Sequence, residues 1–395
     1  MKQPPGFIDP LYPDHVCLLQ KSIYGLKQSP RKWFETFSNY LLTYGFRHSS
    51  ADSSLLIFHK NSVSLYILVY VDDILLTGNH EQTIQDLLMG LLTQFRMKNL
   101  GRISYFLGMQ ISSFSNGLHL CQSKYAIEIL NRAGMIDCKP ISSPASSKFQ
   151  STYVSELSAV QSNNFRHLVG ALQYLTITRP DIAFTVNKLC QYMHRPLEDH
   201  FLMLKRLLRY VKGTISYGLP ILPSSLELSA FSDSDWAGDP VDRKSTSGYC
   251  TFLGTSLISW QVKKQKTVAR SSTEAEYRAL ATATTNIIWL RRLLEEFQLD
   301  LSQPTQLFCD NISAMAIATN PIFHARMKHI EIDFQFIRDC LKNRVLQLAH
   351  IHSQDQLADL FTKSLSIPRF VALRNKLTIS KSPVSLWGGD KLAKK

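Results

Sequence analysis

The stretch "LYILVYVDDILLTG", residues 65–78, sets the tightest limit on how this chain can fold. Apolar residues that belong in a buried strand run up to Asp72 and Asp73 and resume after them. In a hairpin interior two adjacent carboxylates repel and lose hydration, so a fold that keeps them there needs a compensating cation. A divalent metal is the natural one, because Mg²⁺ takes hard oxygen ligands and commonly uses one or two carboxylates. The ordinary account of an Asp-Asp pair is a solvated turn. Here no turn residue flanks the pair, which favours the metal.

The neighbouring segments supply a scaffold. In "SPRKWFETFSNYLLTYGF" the apolar residues Trp33, Phe34, Phe37, Tyr40, Leu41 and Tyr44 recur at helical spacing, with Ser29 as N-cap, Pro30 in the first turn and Gly45 as the stop. "SLLIFHKNSVSLYILVYVDDILL" reads as two strands about a polar tip at 59–62, with the Asp pair carried by the second. A Ser-rich connector without periodicity spans 142–164. "FLMLKRLLRYVKG" sets Leu204, Leu207, Leu208 and Val211 on one helical face and Lys205, Arg209 and Lys212, a basic stripe, on another. The junction "YGLPILPSS" places a domain boundary near residue 220, after which strands come first and helices later.

With 44 basic and 31 acidic residues the formal charge is +13, which suits a polyanionic partner such as nucleic acid; generic solubility accounts for charge alone equally well. From Lys363 onward there are eight basic residues and one acidic, which predicts a mobile tail that holds polyanions loosely. The seven cysteines form no C-x-x-C pair, so neither a disulfide framework nor a zinc ribbon is suggested and a reducing compartment fits. No apolar run reaches the roughly 18 residues that span a bilayer. The N-terminus lacks the build of a signal peptide. The chain reads as soluble and cytoplasmic, with a virus-like particle or the nucleus as alternatives and no membrane partner.

A second set of acids lies further on. Strand alternation in "LELSAFSDSDWAGD" puts Phe231, Asp233 and Asp235 on one face, so either Asp could reach a metal. In "ARSSTEAEYRAL" both Ser271 with Glu274 and Thr273 with Glu276 satisfy a capping box; if Ser271 caps, Glu276 is left free on another face. Asp310 stands where a strand runs into a helix, a common N-cap position, and Asp359 is a favourable first-turn acid. His324, Lys328, His329 and Asp333 gather in "HARMKHIEIDFQF", but their spacing suits no familiar zinc site.

"YVDDILLTG" resembles the metal-binding box of reverse transcriptases, and "SIYGLKQSPRKWF" with "FRMKNLGRISYFLGMQI" resembles the copia-type (Ty1/copia) retrotransposon branch of that family. "LVGALQYLTITRPDIAFTVNKLCQYMHRP" and "LKRLLRYVKGT" look like the segment that joins polymerase to ribonuclease H in those elements, and "FSDSDWAGDP" and "LFCDNISA" look like ribonuclease H strands. The resemblance runs from Gln3 to about Leu365. It implies an α/β chain: a truncated reverse transcriptase palm at 1–112, a thumb- or connection-like region at 113–220, a ribonuclease H domain with a mixed five-stranded sheet flanked by helices at 221–365, and a basic tail at 366–395.

In the first half the resemblance implies Asp72 and Asp73 as metal ligands. The third palm carboxylate falls in a box preceding the segment "QPPGF", so the polymerase half is expected to be inactive alone. Lys27, Gln28 and Arg31 match a box that packs on template and nucleotide, and Phe106, Leu107 and Gly108 match the turn that supports the primer end. Lys205, Arg209, Lys212 and Lys328 are further candidate nucleic-acid contacts.

In the second half Asp233, Glu276, Asp310 and Asp359 match a carboxylate set that holds two Mg²⁺ or Mn²⁺ ions to cleave the RNA strand of an RNA/DNA hybrid. No matched His is implied at 350 or 352. The partners implied are RNA/DNA hybrid, template-primer and other Gag-Pol products. The alternative is a non-catalytic nucleic-acid-binding remnant of a decayed element.

Overall fold

The computed structural model describes residues 1–21, 23, 25–146, 155–320 and 331–382. The chain divides into two compact units, Met1–Gly101 and Arg102–Lys395.

In the first unit, α1 (Ser29–Tyr44) and α2 (Glu81–Gln94) pack on an antiparallel sheet of β1 (Arg47–His48), β2 (Leu55–Lys60), β3 (Val63–Tyr70) and β4 (Asp73–Gly78), in the order β1-β2-β3-β4. Alternation in β3 sends Leu65, Ile67 and Val69 inward against Phe37, Leu41, Leu87 and Leu91. Gly45 closes α1 at φ 111°, a left-handed cap that glycine adopts without a Cβ clash. The expected cap at Ser29 is corrected. Ser29 is the first helical residue, is buried, and its Oγ donates to the Ile23 carbonyl at 2.6 Å; Gln28 holds the N-cap position with no side-chain cap bond.

The second unit begins with β5 (Tyr105–Phe106), β6 (Met109–Phe114) and β7 (Gly117–Cys121), followed by the helices α3 (Ser123–Arg132), α4 (Ala159–Leu175), α5 (Ala183–Cys190) and α6 (Glu198–Gly213). β8 (Tyr217–Ile221) pairs with β7 and lies in a sheet ordered β14-β8-β7-β6-β5, with β14 at Ser380–Lys381. Leu107 and Gly108, both at positive φ, make the two-residue β5–β6 turn. The Tyr174 hydroxyl donates to the Leu107 carbonyl at 2.5 Å and leaves no room for a Cβ at position 108.

The remaining elements are β9 (Leu228–Ser234), β10 (Thr246–Leu253), β11 (Ser256–Lys264), α7 (Ser272–Glu296), β12 (Thr305–Cys309), α8 (Ile312–Thr319), α9 (Glu331–Lys342), β13 (Leu346–His350), α10 (Asp359–Thr362) and α11 (Ile367–Lys376). The sheet order is β11-β10-β9-β12-β13; β9, β10 and β11 are antiparallel, while β12 runs parallel to β9 and β13. This is the mixed five-stranded, helix-flanked arrangement expected for a ribonuclease H-like α/β fold. One core cluster joins Tyr277, Leu280 and Ile287 of α7 and Phe334 and Ile337 of α9 to Ala230 and Tyr249 of the sheet. Another joins α3 to α6 and α10 to α11 with Cys250, Phe252 and Leu257 of the same sheet.

Three sequence expectations are corrected by this packing. No division falls near residue 220, because the helices before it and the sheet after it share one core and the supposed junction is strand β8. Helical structure begins at Ala159, inside the expected connector, where Ser158 and Gln161 form a capping box. The expected basic tail is folded as far as Ser382: Phe370 and Leu373 of α11 are buried in the common core, and β14 pairs with β8. Residues 383–395 lie outside the described residues. Every described cysteine is a free thiol. Among the described residues no helix is long and apolar enough to cross a membrane.

The helical layer is pinned by a buried ion pair. Arg179 grips Asp181 through Nε (2.9 Å) and Nη2 (2.7 Å), its Nη1 donates to the Thr214 carbonyl at 2.8 Å, and the Tyr210 hydroxyl donates to Asp181 at 2.6 Å. Removing one partner leaves a buried charge uncompensated. Arg179→Met should therefore lower the unfolding free energy of the full chain by about 3–5 kcal/mol, read by chemical denaturation.

Candidate active site

The acids of the second unit meet where β9 and β12, parallel neighbours, reach their carboxyl ends. Asp233 is the penultimate residue of β9, lies opposite Gly248 of β10, and is buried. Its Oδ2 accepts from the Thr362 hydroxyl and lies 3.5 Å from Lys363 Nζ. Asp235, the other candidate on that face, accepts from the Thr246 backbone N–H, so it ties β9 to β10. Burial pushes the Asp235 carboxyl up to about 6 and Asp233 repulsion adds to this, against the Thr246 hydrogen bond.

The α7 entrance answers the capping question. The Ser271 hydroxyl accepts from the Glu274 N–H at 3.1 Å, and Glu274 accepts from the Arg270 N–H at 2.9 Å and pairs with Arg278 at 2.5 Å. Glu276 turns toward β9 instead, where its Oε1 accepts from the Ser234 N–H at 3.3 Å. Its Oε2 is buried with no partner. Burial first, then repulsion from Asp233 and Asp310, raises the Glu276 carboxyl well above the ordinary range.

Asp310 follows β12 directly, but Asn311 caps α8, accepting from the Ala314 N–H at 2.9 Å. Asp310 accepts instead from the Ser353 hydroxyl at 2.7 Å. Glu276, Cys309 and Asp310 each offer an atom within 4.8 Å of the others, the one such triple among the described residues.

Asp359 opens α10 with its side chain 1% exposed. Lys363 Nζ is 2.7 Å from its Oδ1, and the Arg369 guanidinium is on its Oδ2. Burial, then Asp233, pushes the Asp359 carboxyl up to about 6, with Lys363 and Arg369 opposing. Burial works to lower the Lys363 ammonium, yet Asp233, Asp359 and Asp310 together hold it above the ordinary lysine range. Lys363 therefore pairs directly with Asp359 and Asp233, while its charge reaches Asp310 and Glu276 only through space. Lys363 is legible as the i+4 partner of Asp359, although its place at the head of a basic run points to a tail instead. Arg369 and Thr362 carried no local signal.

The donors fit hard divalent ions: four carboxylates, one with a buried oxygen lacking any partner, suit Mg²⁺ or Mn²⁺ better than a soft metal, and only the Cys309 thiol is soft. Burial, then the nearby Glu276, pushes that thiol up. His350 ends β13 beside Cys309, and both His350 and His352 are exposed, their rings edge to face at 5.6 Å.

The remaining predicted residues do not join this cluster. Asp72 and Asp73 are exposed at the tip of the β3–β4 hairpin, where Tyr70 pairs with Asp73 and Val71–Asp72 forms the turn, so the expectation of a hairpin interior is corrected. Val71 sits at φ 52°, strained backbone for a β-branched residue. Among the described residues no third His, Cys, Asp or Glu completes a metal group with the pair. Lys27, Gln28 and Arg31 lie exposed at the start of α1, with Arg31 paired to Glu35 at 3.1 Å. On α6 the Lys205 ammonium stands 4.9 Å over the Phe201 ring, Arg209 donates to the Lys139 carbonyl at 2.8 Å, and Lys212 is half-buried. Arg209 is thus at least partly structural. Lys328, with His324 and His329, lies outside the described residues.

Residues 1–147 match the family model described as reverse transcriptase (RNA-dependent DNA polymerase). The chain is 44% identical over 98% of its length to the retrovirus-related Pol polyprotein from transposon RE2 of Arabidopsis thaliana. It is 32% identical over 70% of its length to the putative transposon Ty5-1 protein of Saccharomyces cerevisiae, of which it covers 91%. The chain belongs to the copia-type retrotransposon Pol family. With the Pol polyprotein from transposon TNT 1-94 of Nicotiana tabacum it shares 35% identity over 98% of its length. It covers 27% of RE2 and 29% of TNT 1-94, so it spans roughly a quarter of the length of these Pol polyproteins.

The raised carboxyls fix a sign. In folded protein without divalent ions, Asp235 and Asp359 hold protons up to about pH 6 that the unfolded chain, with carboxyls near 3.8, has already released. Their contribution is complete below the unfolded value and is lost as pH rises through the folded one. Measured in a chelator, the stability of the unmutated chain relative to Asp235→Asn should therefore fall from pH 4 to pH 6.5, the difference between the two slopes reading the Asp235 contribution.

Proposed function

We propose that the second unit is a divalent-metal-dependent ribonuclease H that cleaves the RNA strand of RNA/DNA hybrids. The observation that carries this reading is the meeting of Asp233, Glu276, Asp310 and Asp359, from four separate elements, with Glu276 Oε2 buried and unpartnered. Gathering four acids with three of them buried is costly, and a fold that maintains them is built for cations. Asp233, Glu276, Asp310 and Asp359 would hold Mg²⁺ or Mn²⁺, which when bound supplies Lewis-acid charge at the scissile phosphodiester.

The protein's own contribution is orientation and dryness. Thr362 fixes the rotation of the Asp233 carboxylate, Ser353 fixes Asp310, and Ser234 fixes Glu276, as outer partners do for ligating carboxylates. Burial of Asp233 and Glu276 keeps bulk water from screening the charges that face the substrate. The net charge of +13 favours a polyanion. Selection of the RNA strand would rest on 2′-hydroxyls and helix shape, so cleavage would be largely indifferent to sequence. We assign no polymerase step to Asp72 and Asp73, which stand as a pair at an exposed turn.

The test uses the full chain, Mg²⁺ and a hybrid labelled on its RNA strand. Glu276→Gln or Asp310→Asn should cut the cleavage rate by about 10³-fold or more, since each ligand is asked for several kcal/mol of charge stabilisation. Hybrid binding without hydrolysis by the unmutated chain would instead make the protein a non-catalytic binder.

A further inference from the structure

The four carboxylates divide into two unlike halves. Around Asp233 and Asp359 the negative charge is already answered: Lys363 Nζ lies 2.7 Å from Asp359 Oδ1 and 3.5 Å from Asp233 Oδ2, and Arg369 is on Asp359 Oδ2. Around Glu276 and Asp310 the hydrogen-bond donors are neutral, the Ser234 N–H and the Ser353 hydroxyl, and Glu276 Oε2 has none. Two divalent ions added to Lys363 and Arg369 would set six positive charges against four negative ones. That excess works against filling both halves while Lys363 stays in place.

Lys363 is also free to leave. It follows the last residue of α10, its side chain is 42% exposed, and a four-carbon stem lets the ammonium swing to solvent without disturbing the helix. Asp359, by contrast, is 1% exposed and fixed from two sides.

We infer that Lys363 is a resident cation that holds one half of the site. Its ammonium occupies the Asp233–Asp359 side, so that one divalent ion enters tightly on the Glu276–Asp310 side and a second enters only by displacing Lys363. The inference rests on the metal-dependent reading above and adds to it the order and stoichiometry of loading.

Mn²⁺ titration of the full chain, with free ion followed by electron paramagnetic resonance, reads this without any turnover. The unmutated protein should take up one ion tightly and a second at least about tenfold more weakly, a gap that one nearby positive charge supplies. Lys363→Met should bring the two affinities within about threefold, and Lys363→Arg, which keeps the charge, should hold them apart. In a chelator Lys363→Met should melt earlier than the unmutated chain and recover when Mn²⁺ is added. A lysine with a merely structural role would lower the melting temperature but leave the two affinities apart, and that result would overturn the inference. So would two equal sites in the unmutated protein, a result that holds even where a variant does not fold. Hybrid cleavage measured on the same unmutated sample separates the two readings. Cleavage with two equal ions defeats only the role of Lys363, whereas neither ion uptake nor cleavage defeats the ribonuclease itself.

Discussion

The desolvation of carboxylates governs the second unit. Asp233, Glu276 and Asp359 are each less than a tenth exposed, and their mutual repulsion raises the protonation of Glu276 and Asp359. A chain can keep such a group only by bringing cations to it, either its own or borrowed ones. Lys363 and Arg369 supply two, and they come from the segment that closes the fold after β13. The last described helix is therefore part of the site's electrostatics as well as of its core.

That closing segment explains why the second unit has no internal boundary. α10 carries Asp359 and presents Phe361 to the buried cluster that also holds α4, α5 and α6, and Gly248 of β10 leaves no room for a Cβ beneath Phe361. α11 adds Phe370 and Leu373 to the same cluster. The helices preceding β8 thus brace the elements that position Asp359 and Lys363. The buried Arg179–Asp181–Tyr210 network lies in this bracing layer, and Arg374 of α11 donates to the Tyr210 hydroxyl at 3.3 Å. The helical layer and the elements that carry Asp359 and Lys363 thus share one packed core.

Much of the secondary structure was legible because hydrophobic period and stop signals are local. The repeat from Trp33 to Tyr44 with Gly45 and the α6 stripe of Leu204, Leu207, Leu208 and Val211 follow from spacing alone, whereas spacing left two capping boxes open at the start of α7 and the structure takes the Ser271 one. The β3–β4 turn was not legible. Nothing about Val71 announces a positive φ, and strand pairing on both sides imposes it. Ser158 with Gln161 was a readable capping box that Ser-rich composition obscured.

The sequence by itself determined the family, the apolar faces, and the four acids that match one ligand set, because each is written in residue type and short-range order. Only the tertiary structure decided that Asp235 is taken up by the Thr246 N–H, that Asn311 caps α8 and leaves Asp310 to Ser353, and that Lys363 and Arg369 stand against Asp359. The physical reason is distance along the chain. Asp233 and Thr362 are 129 residues apart, and Asp310 and Ser353 are 43 apart, so no local pattern encodes contacts that exist only once the sheet has closed.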